Sequence, residues 1–158
     1  MKLTVVIPTH NRYKLLKRLL KSLLEQTIPK NNYNIIVVDD CSTDNTQSLM
    51  QNYVKNHKII HYYRLKKPSG AGYARNKGIE QTKEGYIVFI DDDCIAYNNT
   101  LENITKILKK YPFIKCLKGD PDSLKRAGLI GRYLNACLTT KYVPCKNAAG
   151  IGRLGDPV

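Results

Sequence analysis

The chain has 158 residues, 42% of them apolar and 25% charged, which is the composition of an ordinary globular domain with a single core. No apolar run approaches the ~18 residues that a membrane span needs, and the opening Met1–Pro8 turns polar too soon for a signal peptide, so a cytoplasmic location is expected. The formal net charge of +13 is uneven, with 11 Lys and Arg against 3 Asp from Lys106 to Val158. That balance suits phosphorylated small molecules or anionic lipid head groups, or else reflects solvated lysines; without an Arg-rich arm or a nucleic-acid motif, no nucleic acid is expected.

Leu3 to Pro8 is apolar almost throughout and reads as a first strand. Thr9-His10-Asn11-Arg12 is a polar turn in which Asn11 is the expected helix cap. From Tyr13 to Gln26 the leucines at 15, 16, 19, 20, 23 and 24 form one helical face, with Lys14, Lys17, Arg18 and Lys21 opposite. Asn34 to Asp39 is a second buried strand ending in two carboxylates, Asp39 and Asp40. The loop Cys41–Thr46 is rich in capping residues and leads into a helix with Leu49, Met50, Tyr53 and Val54 inward.

Lys58 to Arg64 is the third strand. Lys66 to Gly72 is a basic, glycine-containing loop that opens a short helix over residues 73–82, and backbone N–H groups at such a helix start suit an anion. Tyr86 to Asp91 is the fourth strand, running directly into Asp91-Asp92-Asp93. A helix capped by Asn98 or Asn99 continues to Tyr111. A fifth strand is expected over 113–118, a further helix from Asp122 or Ser123 through Cys137, and a short strand over 143–147.

Alternating strands and helices with uninterrupted apolar strands predict a three-layer α/β/α sandwich with a mainly parallel central sheet. In such a sheet the C-terminal strand ends share one edge, where ligands bind. Five of the thirteen acidic residues of a strongly basic chain therefore gather at one rim. If residues 91–93 continue the strand, Asp91 and Asp93 point the same way, about 6–7 Å apart. Their repulsion would be about 2–3 kcal/mol at an effective dielectric of about 20, which calls for a compensating cation. A hard divalent ion, Mg²⁺ or Mn²⁺, suits carboxylate oxygens. The five cysteines include no CxxC pair and the three histidines no ligand spacing, so neither a zinc site nor a catalytic triad is expected.

Four stretches carry a resemblance. Val6-Ile7-Pro8-Thr9-His10-Asn11-Arg12 resembles the opening of family 2 glycosyltransferases of the GT-A fold. Val37 to Thr46 resembles that family's VVDDGSTDGT segment, Gly72 to Ile79 its xxxARNxGI helix, and Phe89-Ile90-Asp91-Asp92-Asp93 its FLDxD motif. The likeness covers residues 3–118, in the family's order and spacing. It implies sugar transfer from a nucleotide-diphospho-sugar, UDP- or GDP-linked, with Mn²⁺ or Mg²⁺.

By matching positions, Thr9 and Arg12 border the nucleotide and Asp40 accepts a hydrogen bond from the base. Arg75 approaches the ribose or diphosphate. Asp91 faces the ribose, with Asp92 at the variable position of the motif. Asp93 is the leading metal ligand, with Asp91 beside it.

The resemblance also implies an acidic catalytic base after the fifth strand. Beyond Lys118 the acids are Asp120, Asp122 and Asp156, none in that context. Residues 1–118 are therefore expected to be a donor-binding core and 119–158 a shortened or atypical acceptor-side segment. The expected function is metal-dependent transfer of a sugar to a polysaccharide or lipid-phosphate acceptor, with a peripheral position at the inner membrane face. The alternative is a nucleotide-sugar-binding protein or subunit without transfer activity. A nucleotidyltransferase would carry a glycine-rich loop after the first strand, and Thr9–Arg12 has no glycine. An apolar face left by a missing acceptor half would favour a homodimer or a partner subunit.

Overall fold

The computed structural model describes residues 1–113 and, as backbone, the strand segments 116–118 and 137–139. The strands are β1 (Leu3–Thr9), β2 (Tyr33–Asp39), β3 (Ile60–Arg64), β4 (Tyr86–Phe89), β5 (Cys116–Lys118) and β6 (Cys137–Thr139). The helices are α1 (Tyr13–Leu24), α2 (Thr46–Asn56), α3 (Ala71–Glu80) and α4 (Thr100–Lys110).

The sheet order is β3-β2-β1-β4-β6-β5, with the first four strands parallel and β6 antiparallel to both β4 and β5. Alternation along each strand divides the core between two faces. Leu3, Val5, Ile7, Ile35, Val37 and Val88 pack with the inner faces of α1, α2 and α4. Val6, Ile36, Val38, Ile87 and Phe89 pack with Ala74 and Ile79 of α3. This is the expected three-layer arrangement. Gly78 makes the α3 contact as close as it is, since a Cβ there would lie 2.2 Å from Val6 Cγ1.

Several expectations are corrected. Asn11 does not cap α1. It adopts φ 53°, and its Oδ1 accepts from the backbone N–H groups of Thr43 (2.7 Å) and Asp44 (3.3 Å). The first turn of α1 is satisfied from across the sheet edge, where Tyr13 N–H donates to Asp44 Oδ2 at 3.1 Å. Val54, expected inside, is 41% exposed, because α2 turns Met50 and Thr46 to the core instead.

β4 ends at Phe89, paired with Val6, rather than at Asp91. Residues 91–93 form a tight turn closed by Cys94 N–H to Asp91 C=O (3.1 Å), so they do not continue the strand and the strand alternation expected for Asp91 and Asp93 does not apply. Cys137, placed in a helix by its apolar spacing, begins β6. The helix expected over 122–136 and the strand over 143–147 lie outside the described residues.

Candidate functional site

Register explains how the site assembles. Thr9 is level with Asp39 on β2, and Asp39 with Arg64 on β3, so three strands end together. β4 stops three residues lower on β1, and its turn brings Asp91–Asp93 back beside Pro8 and Thr9. A cavity of about 300 Å³ opens at this edge, lined by Thr9, His10, Arg12, Asp40, Arg75 and Asp91–Asp93, with Pro8 and Ala71. All seven residues singled out from the sequence line it.

Each carboxylate has a partner from the chain itself. Arg75 Nη2 donates to Asp91 Oδ1 at 2.6 Å. Asp92 is buried, with Thr9 Oγ1 donating to its Oδ2 at 2.7 Å and Arg12 Nη1 to its Oδ1 at 3.2 Å. Arg12 Nη1 also lies 3.5 Å from Asp93 Oδ2. Burial raises the pKa of the Asp92 carboxyl above its ordinary value, and the Thr9 hydrogen bond and the Arg12 charge oppose that rise. Asp40 accepts from the backbone N–H groups of Ser69 (2.6 Å) and Gly70 (2.8 Å). Asp40 thus supplies an anion to the two backbone N–H groups just before α3.

Asp39 and Asp40 point to opposite sides of β2, as period-two geometry requires. Asp39 is fully buried and structural. Its carboxylate takes Ser42 N–H at 2.8 Å and the Tyr62 hydroxyl at 2.5 Å, with Arg64 Nε at 3.6 Å. Burial, reinforced by the hydrogen bond to Asp39, pushes the Tyr62 phenol well above its ordinary value. The sequence reading did not single out His10, whose Nδ1 lies 2.6 Å from the Asp40 carbonyl. A carbonyl only accepts, so Nδ1 carries the proton. Nor did it single out Ser69, which no motif marks.

Four carboxylates face two guanidiniums around the cavity, a formal excess of two negative charges. One divalent cation would balance it. Asp93 could serve as a ligand, since among the described residues its one guanidinium contact is long, at 3.5 Å, and its side chain is 21% exposed. Among the described residues no three His, Cys, Asp or Glu side chains are grouped to hold a metal alone. An ion here would complete its shell with water and ligand oxygens, which is the habit of Mg²⁺ with phosphates.

A mainly parallel sheet with helices on both faces and an arginine-lined acidic cavity at its carboxyl edge define an α/β domain with a charged site at the strand ends. The chain belongs to glycosyl transferase family 2, whose pattern matches residues 4–124. It is 36% identical over 105 residues to the poly(ribitol-phosphate) β-N-acetylglucosaminyltransferase TarP of Staphylococcus aureus, covering 65% of this chain and 32% of that protein. It is 35% identical over 133 residues to a poly(ribitol-phosphate) β-glucosyltransferase of Bacillus spizizenii, covering 84% and 20%. Among solved structures, residues 1–349 of S. aureus TarS in complex with UDP-GlcNAc align at TM-score 0.67 and 32% identity, covering 78% of this chain and 38% of that one.

A mannosyltransferase from Pyrobaculum calidifontis aligns at TM-score 0.75 and 20% identity, which speaks to the shared fold alone. The chain spans about a fifth to a third of the length of the curated relatives named here. Among the described residues no helix is long and apolar enough to cross a membrane.

Proposed function

We propose that the chain binds a UDP-linked sugar at the acidic edge of its sheet and serves metal-dependent transfer of that sugar to an anionic polyol-phosphate or lipid-phosphate acceptor. The observation that carries this reading is the convergence of Thr9, Arg12, Asp40, Arg75 and Asp91–Asp93 on one cavity with two uncompensated negative charges. The UDP-GlcNAc complex of the TarS neighbour supports the choice of UDP over GDP, and the names of the relatives together with the +13 charge support a phosphate-rich acceptor. Such an acceptor, if lipid-linked, places the protein at the inner face of a membrane.

Asp93, with Asp91 beside it, would hold Mn²⁺ or Mg²⁺, which when bound neutralises charge developing on the departing diphosphate. Arg12 and Arg75 would supply further positive charge from fixed positions at the cavity wall. Asp40 would accept from the base while retaining its backbone donors, since a carboxylate has about four acceptor sites.

Mn²⁺-dependent release of UDP from UDP-GlcNAc in the presence of a polyol-phosphate acceptor tests the reading, and Asp93→Ala should abolish it. One observation favours a second reading, donor binding without transfer. Among the described residues the cavity is lined by no carboxylate beyond Asp40 and Asp91–Asp93, which the transfer reading commits to the base, the arginines and the metal, so none is assigned to take a proton from an acceptor hydroxyl. Metal-dependent UDP binding with no turnover would support that alternative.

A further inference from the structure

Asp91, Asp92 and Asp93 are chemically identical but not equivalent in the fold. The side chains of Asp91 and Asp93 are 35% and 21% exposed, that of Asp92 only 5%. Both Asp92 oxygens are occupied from the β1 side. Thr9, itself buried at the last position of β1, donates to one at 2.7 Å, and Arg12 donates to the other at 3.2 Å. The same Arg12 nitrogen stands 3.5 Å from Asp93.

Two carboxylates thus compete for one guanidinium nitrogen, and the buried one has the shorter contact. We infer that Asp92 is a positioning residue: it holds Arg12 at the wall of the cavity by the shorter contact and limits that arginine's hold on Asp93, and touches neither donor nor metal.

The physical reason lies in the alternatives open to Arg12. Its side chain is half-exposed. Released from Asp92, it would either swing into water or settle on Asp93. The first removes a positive charge from the site. The second occupies the oxygen on which the proposed metal depends. Thr9 makes the anchor directional, because its hydroxyl fixes one Asp92 oxygen and leaves the other turned to Arg12. The hydrogen bond between Thr9 and Asp92 spans 83 residues of sequence, so the anchor also ties the β1 loop to the β4 turn.

This inference rests on the donor-site reading and is tested with a double-mutant cycle on the full chain, measuring UDP affinity by calorimetry in the presence of Mn²⁺. Asp92→Asn keeps an acceptor for Thr9 and removes the charge that holds Arg12. It should weaken UDP binding about tenfold in the parent chain, the scale of one hydrogen bond to a charged group. In the Arg12→Ala background the same substitution should change affinity less than twofold, since nothing is left to position. An equal loss in both backgrounds would mean that Asp92 meets the ligand directly and would overturn the inference.

If the parent chain binds no UDP, the donor-site reading fails by itself. The anchor is then judged by urea unfolding of Asp92→Ala, Arg12→Ala and the double variant. A double-variant loss smaller than the sum of the singles supports the anchor, and strict additivity overturns it.

Discussion

At the scale of single residues, the loops at the sheet edge are held in shape by side chains in unusual positions. Cys41 adopts φ 63°, a left-handed conformation that costs an L-residue with a Cβ about 1–2 kcal/mol. It stands where the resembling family segment carries glycine. Its thiol makes only a long contact to the Lys66 carbonyl, at 3.9 Å. Cys41→Gly should raise the unfolding free energy by roughly 0.5–1 kcal/mol after the greater freedom of glycine in the unfolded chain is subtracted. A lower urea midpoint would show that the thiol contact outweighs the strain.

Asp44 serves two helices at once, accepting from Tyr13 N–H at the start of α1 and from Thr46 N–H at the start of α2. Burial tends to raise its pKa, but the hydrogen bonds from Thr46 and Tyr13 prevail and hold it below its ordinary 3.8. The fold therefore favours the ionised form. The unfolded chain takes up the proton first as acid is added, so this stabilisation is complete above 3.8 and is lost as pH falls through the depressed value. Asp44→Ala should cost about 1–2 kcal/mol at neutral pH, as lost caps do. Its unfolding curves below pH 4 should converge toward those of the parent chain, and a constant gap at all pH values would contradict this role.

Elements place these residues, and much of their placement was legible. The four parallel strands and the helices between them follow from apolar runs and the leucine spacing of α1, because buried parallel strands carry no polar alternation to confuse the reading. The end of β4 was not legible. No glycine or proline marks a turn between Phe89 and Asp93, and the turn over 91–93 is held by tertiary contacts of Asp92 with Thr9 and Arg12. The cap of α1 was misread for a similar reason: Asp44, 31 residues away, outcompetes the adjacent Asn11.

Residues that line the cavity through motif positions were found. Ser69 and Gly70, which act through backbone N–H groups, leave no side-chain signal. α3 carries Arg75 and lies against β1 only because Gly78 has no Cβ to strike Val6. Gly78→Ala should destabilise the chain by about 1–3 kcal/mol through overpacking. It should also weaken UDP binding by displacing Arg75 from Asp91. Unchanged stability in thermal unfolding would mean that α3 shifts freely on the sheet.

For the whole molecule, charge and topology act together. A chain of net charge +13 concentrates carboxylates at one sheet edge and answers them there with two arginines, which leaves a formal excess of two negative charges among the lining residues. The positive excess of the chain attracts anions in general at long range, an attraction that weakens with ionic strength. In the proposed function this edge binds a nucleoside diphosphate together with a metal. Calorimetric titration with UDP, GDP and CDP, each with and without Mn²⁺, tests it most directly. The account predicts saturable binding of UDP that requires Mn²⁺ and exceeds that of GDP and CDP. Absence of binding for all three nucleotides in the presence of Mn²⁺ would contradict it.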